Sequence, residues 1–132
     1  MHSAPLVLVV EDDSDLRDVL ARMLARAGYV VTTARDGFEA VQAMETGSFA
    51  AVVTDLIMPK REGIETIMEL KRRWPECKVI AVSGGGRLPA GDLLSLAVKL
   101  GADAALQKPV SGAQLLQTLS ALLLGGSATV AA

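Results

Sequence analysis

Five short apolar runs, each followed by a segment with helical spacing, constrain this chain more than any other feature. Residues 6–10 read Leu-Val-Leu-Val-Val without a break. A strand buried on both faces of a parallel sheet has this pattern, whereas a half-exposed strand alternates apolar with polar. Similar runs predict strands at 29–33, at 51–54 ending on Asp55, at 78–82 and, most weakly, at 104–107. After the first run, Leu16, Val19, Leu20, Met23, Leu24 and Ala27 recur at the spacing of one helix face. Ser14 is placed to cap that helix and Gly28 to end it. A second helix opens at Asp36 and runs to about Thr46, with Gly47 as its stop. A third covers 63–73 before Pro75, and a fourth covers 89–100 before Gly101. Ser111-Gly112-Ala113-Gln114 has the form of a capping box, and Leu115, Leu116, Leu119, Leu122 and Leu123 give the last helix its apolar stripe.

Strict alternation of strands and helices implies an open parallel sheet covered on both faces. The 132 residues suit one domain. Its core must be aliphatic, because 51% of the residues are hydrophobic and only 3% are aromatic. The domain is expected over residues 1–124, with the small-residue stretch 125–132 as a disordered tail. There is no internal repeat and no room for a second domain.

A net charge of -2 argues against direct nucleic-acid binding, which calls for a basic face. The apolar run at 4–10 is followed by three acids and lacks the basic start and cleavage site of a signal peptide. No stretch approaches the roughly 18 to 20 apolar residues that span a bilayer. Cys77 is the one cysteine, so no intramolecular disulfide can form, which is compatible with a reducing compartment. These features predict a soluble, cytoplasmic protein with no membrane partner.

In open α/β sheets, sites form outside the carboxyl ends of the strands. Those ends carry Glu11-Asp12-Asp13 after the first strand, Asp55 after the third, Ser83 after the fourth and Lys108-Pro109 after the fifth. Crowded carboxylates repel one another, and a divalent cation relieves them. All-oxygen ligands favour Mg²⁺, with Mn²⁺ as an alternative ion. Beside such an ion an aspartate can attack a phosphoryl group. Lysine and hydroxyl donors then balance the phosphoryl charge.

Together, Val9-Val10-Glu11-Asp12-Asp13, Asp55-Leu56-Ile57-Met58-Pro59 with Gly63, Val82-Ser83-Gly84 and Lys108-Pro109 resemble the receiver domain of bacterial two-component response regulators over residues 5–124. The resemblance implies a flavodoxin-like (βα)5 fold, a doubly wound parallel sheet of order 2-1-3-4-5. It implies that Asp55 accepts a phosphoryl group from a histidine kinase or phosphotransfer protein. Glu11 and Asp12 match the metal-binding acids, with Asp55 and the main-chain carbonyl of Ile57 completing the protein ligands. Ser83 matches the switch hydroxyl and Lys108 the lysine that contacts the phosphoryl group. Pro109 shapes the turn after that lysine. Such a chain is a signalling switch rather than a metabolic enzyme, although it assists its own phosphorylation and dephosphorylation. The expectation is a stand-alone receiver whose output passes to an unidentified downstream protein, by binding or by onward phosphotransfer, through the surface of the fourth helix, fifth strand and fifth helix.

Two positions depart from the family pattern. Many receivers carry Tyr or Phe three residues before the lysine, where the ring turns inward on activation; here that residue is Ala105. Val110 stands where Phe often follows Lys-Pro.

Other residues have plainer roles. Asp13 reads chiefly as a loop residue, Lys71-Arg72-Arg73 as a solvated helix face, Cys77 as a small structural residue and His2 as inert. Gly84-Gly85-Gly86 lacks the Lys-Ser/Thr of a P-loop and reads as a mobile turn, with Arg87 a minor candidate for phosphoryl contact. Rival functions fare worse. A carrier of FMN would set three acids against the cofactor's phosphate. A phosphatase with an aspartate nucleophile would often have an acid where Ile57 stands. A degenerate receiver that only binds a partner has no need of the full acid, serine and lysine set.

Overall fold

The computed structural model describes residues 5–56, 62–83 and 90–125. The chain runs β1 (Leu6–Val10), α1 (Ser14–Arg26), β2 (Val30–Ala34), α2 (Gly37–Thr46), β3 (Ala51–Asp55), α3 (Glu62–Arg73), β4 (Lys78–Ser83), α4 (Ala90–Lys99), β5 (Ala104–Gln107) and α5 (Gly112–Leu123). The strands form one parallel sheet of order β2-β1-β3-β4-β5. Each expected element is present, with ends within one or two residues of the predicted ones.

The two faces of the sheet bury different residues, as the period-two geometry of a strand requires. Leu8, Val10, Val52, Val79, Ala81 and Ala105 face one core, which includes Ala40, Met44, Ile67, Leu70 and Ala97 from α2, α3 and α4. Val7, Val9, Val53, Ile80, Val82 and Leu106 face the other, with Leu20 and Leu24 from α1 and Leu115, Leu119 and Leu122 from α5. This is the doubly wound arrangement, and it explains why β1, β3 and β4 are apolar at successive positions.

Three local expectations need correction. The N-cap of α1 is Asp13, not Ser14. Asp13 has extended backbone angles, and its carboxylate accepts from the Asp15 and Leu16 N–H groups at 2.9 and 3.1 Å; Ser14 is already helical. Val19 is 53% exposed at the rim of the apolar stripe, whereas Leu20 and Leu24 are buried. Lys71 is not simply solvated, whereas Arg73 is exposed as expected and carries surface ion pairs. The Lys71 ammonium donates to Asp103 and to the Pro75 and Cys77 carbonyls at 3.0 to 3.1 Å. Arg73 pairs with Glu45 and Glu69 and lies over the Trp74 ring. Cations at the end of a helix meet exposed carbonyls, and here the turn between α3 and β4 supplies them. Arg72 is exposed as expected.

Gly28 and Gly101 follow α1 and α4 with φ of +100° and +122°, the left-handed region that favours glycine. Ser111 caps α5 by accepting from the Gln114 N–H at 3.0 Å. Of the stretch expected as a tail, residues 126–132 lie outside the described residues. Among the described residues no helix is long and apolar enough to cross a membrane.

Candidate functional site

The strand order reverses beside β1, whose connection through α1 lies on one face while that of β3 through α3 lies on the other. The crevice opens between their carboxyl ends. Glu11 and Asp12 follow β1, and Asp55 closes β3. One carboxylate oxygen from each lies within 4.8 Å of the others. Glu11 and Asp55 are buried, at 2% and 4% exposure, while Asp12 is open to solvent. Three oxygen donors so arranged fit one hard divalent cation that keeps part of its water shell.

The backbone fixes these groups before any side chain does. The Glu11 N–H continues the sheet by donating to the Ala34 carbonyl at 3.0 Å. The Leu56 N–H likewise donates to Val82, holding the end of β3 against β4. The Lys108 N–H donates to the Ser83 carbonyl at 2.9 Å, so the ends of β4 and β5 stay registered past Gln107. From there the Lys108 ammonium crosses the crevice. It donates to Asp55 Oδ2 at 2.9 Å and to Glu11 Oε1 at 3.2 Å.

Burial dominates the electrostatics of Glu11 and pushes its carboxyl up to about 7. The Asp13 N–H, donating to Glu11 Oε2 at 3.1 Å, opposes the rise. The Asp55 charge and a hydrogen bond with Asp12 add to it, and the Lys108 charge counters it. Burial pulls the Lys108 ammonium down, but its hydrogen bond to Asp55 and the charges of Asp55 and Glu11 outweigh that and hold it above the ordinary lysine value.

Ser83 is fully buried, and its Oγ has no hydrogen-bond partner among the described residues. A buried hydroxyl without a partner forfeits roughly 1–3 kcal/mol, so it marks a place where another group completes the arrangement. Asp13, the third acid after β1, is committed to capping α1. Pro109 is exposed and follows a cis peptide bond from Lys108. Ala105 is fully buried opposite Ala81, in a layer shared with Ala97 and Ala102. Ile57, the Gly84–86 loop and Arg87 lie outside the described residues.

Sequence reasoning missed Arg17. Its guanidinium donates to the Glu11 main-chain carbonyl at 2.9 Å. No periodicity announces this contact, but a first-turn side chain directed toward the helix N-terminus is its geometric signal.

Residues 7–120 match the family model described as the response regulator receiver domain. A transcriptional regulatory protein CpxR homolog of Haemophilus influenzae is 35% identical over 118 residues, which are 89% of this chain and 49% of that protein. The chain spans about half the length of such curated relatives. A CheY-like receiver domain protein from Methanospirillum hungatei superposes with a TM-score of 0.85 at 28% identity, covering 93% of this chain and 96% of that one. A receiver domain protein from Clostridium thermocellum gives 0.83 at 29% identity, covering 92% and 95%.

Proposed function

The chain belongs to the response regulator receiver family of two-component systems, and from that premise we propose that it is a phosphoacceptor switch whose acceptor is Asp55. The observation that carries this reading is the Lys108 ammonium bridging Asp55 and Glu11 across the crevice. From this position Lys108 is within reach to give the phosphoryl oxygens a counter-charge. The unpartnered Ser83 hydroxyl adds a donor on the neighbouring strand.

The donor is a phosphohistidine of a histidine kinase or phosphotransfer protein. An Asp55 carboxylate oxygen attacks phosphorus, and the P–N bond breaks with its electron pair remaining on the histidine nitrogen. The product is an acyl phosphate on Asp55. Lys108 and the Ser83 O–H neutralise and bind its terminal oxygens. Glu11, Asp12, Asp55 and the Ile57 main-chain carbonyl would hold Mg²⁺, or Mn²⁺ in its place. When bound, that ion offsets the charge of the transferring group. Attack of water on phosphorus later returns the free carboxylate and inorganic phosphate. The domain thus assists both steps of its own cycle without turning over a metabolite.

Output runs to a downstream protein through the surface of α4, β5 and α5, by binding or by onward phosphotransfer. Ala105 has no ring to reorient, so the loops after β4 and β5 carry the change as Ser83 and Lys108 close on the phosphoryl group. This reading takes residues 1–124 as the receiver unit, places it in the cytoplasm and gives it no direct nucleic-acid or membrane contact; the net charge of -2 supports the absence of nucleic-acid contact. Intact-protein mass spectrometry after acetyl phosphate and Mg²⁺ tests the acceptor. One added phosphoryl group, absent in Asp55→Asn, is expected. Undiminished labelling of that variant overturns the assignment.

A further inference from the structure

We infer that Arg17 is a positioning residue for the cation site: it sets the peptide plane between Glu11 and Asp12 and so aims Asp12, the exposed acid of the cluster. The inference rests on the metal-binding reading of Glu11, Asp12 and Asp55. Arg17 lies in the first turn of α1, where its N–H donates to the Asp13 carbonyl at 2.9 Å. Side chains there point back toward the helix start. Its guanidinium therefore reaches the chain entering the helix and donates to the Glu11 carbonyl at 2.9 Å.

That contact completes the fixing of Glu11. The Glu11 N–H is held by Ala34, one carboxylate oxygen by the Asp13 N–H and the other by Lys108. The carbonyl is the remaining polar group, and Arg17 takes it. The same peptide unit leads into Asp12, whose exposed side chain has no backbone contact to aim it among the described residues. Arg17 binds a carbonyl rather than a carboxylate, so it does not compete with an ion for the acid oxygens. Groups behind the ligands commonly control metal affinity in this way.

The sign of the effect separates this role from a simple charge effect. Arg17 is a cation near a cation site, so on charge alone its removal would tighten Mg²⁺ binding. Positioning predicts the reverse. Amide NMR titrations with Mg²⁺ should compare the unaltered chain with Arg17→Met, Arg17→Lys and the double variant Glu11→Gln/Asp12→Asn. Arg17→Met is expected to weaken binding roughly tenfold or more while retaining the amide spectrum of a folded chain. Arg17→Lys, which keeps one donor, should recover part of the loss. It also carries the test if the Met variant does not fold, because it should then bind Mg²⁺ measurably more weakly than the unaltered chain. Equal or tighter binding in folded Arg17→Met overturns the positioning role, as does a lowered melting temperature with unchanged affinity. If the double variant keeps full affinity, the acidic cluster is not the cation site, and that result is distinct from a failure of Arg17 alone.

Discussion

The Lys108 ammonium sits 2.9 Å from Asp55 Oδ2, with both groups at the carboxyl edge of the sheet and the carboxylate nearly buried. Glu11 lies 3.2 Å from the same nitrogen. One ammonium thus serves two carboxylates that water reaches poorly. Its removal would leave the pair facing each other without a cation. Breaking a buried pair costs several kcal/mol, but Lys108 is 26% exposed, which screens the interaction. Lys108→Met should therefore lose about 2 kcal/mol of stability in urea melts without divalent ions. Millimolar Mg²⁺ should restore much of it. Equal losses with and without Mg²⁺ would separate the ion from this crevice.

Asp13 offers a control inside the acidic loop. Its carboxylate holds the Asp15 and Leu16 N–H groups. Asp13→Ala should cost about 1 kcal/mol as a lost cap. Mg²⁺ affinity should change little, since the clustered oxygens come from Glu11, Asp12 and Asp55. A large fall in affinity on this substitution would make Asp13 part of the cation site.

At the opposite end of the sheet, Asp103 Oδ2 accepts from Lys71 at 3.0 Å and from the Val79 N–H at 2.8 Å. This acceptor joins α3, β4 and the turn before β5. Asp103→Ala strips both donors and should destabilise by about 2 kcal/mol. Asp103→Asn keeps one oxygen and should cost about half as much. Chemical denaturation of the two variants and of Lys71→Met, with the double variant, measures the coupling. Strict additivity would show that the pair contributes nothing.

Cys77 is buried, and its thiol is pushed up to about 11 by burial, with the Lys71 charge opposing and the Asp103 charge adding. The thiol ionises more readily in the unfolded chain. Its contribution to stability is therefore complete below about pH 9 and is lost as pH rises toward 11. Over that window the unaltered chain should lose up to about 3 kcal/mol more stability than Cys77→Ala, which has no thiol to ionise. Thermal melts of both proteins against pH test the difference, and parallel curves would refute it. At neutral pH, alkylation should be slow until denaturant opens the fold.

The fold was legible because its strongest signals are local. Residues 6–10 and 51–53 are apolar throughout, which two-sided burial accommodates, and Gly28, Gly47 and Gly101 stand where helices stop. Caps were less legible. Asp13 and Ser14 are both competent, and backbone angles that sequence does not show decide between them. Long-range pairings were not legible at all: nothing near Lys71 points to Asp103, 32 residues away. At the site, motif spacing located Glu11, Asp12, Asp55, Ser83 and Lys108 at neighbouring strand ends. It could not reveal Arg17, whose role depends on where one main-chain carbonyl points.

Ala105 bears on how a signal leaves the crevice. It sits opposite Ala81 in a buried layer with Ala97 of α4 and Ala102. The described residues around Ala105 are small and buried, so a ring in its place would add volume to a packed layer. Ala105→Tyr should overpack it and cost roughly 1–3 kcal/mol. In the unaltered chain, by contrast, the proposed pulls toward Asp55 would act through the strand ends: Ser83 from β4 and Lys108 after β5, already joined by the Lys108 N–H to Ser83 carbonyl bond. A displacement of one should carry the other. Beryllofluoride with Mg²⁺ mimics the phosphoryl group, and amide shifts report where the chain responds. The expected pattern is large shifts over residues 83–98 and smaller ones over 104–108. The Ser83→Ala variant should lose most of the first set while still binding the mimic. Large distant shifts centred on α1 and α2 instead would place the output surface elsewhere and refute the route through β4 and β5.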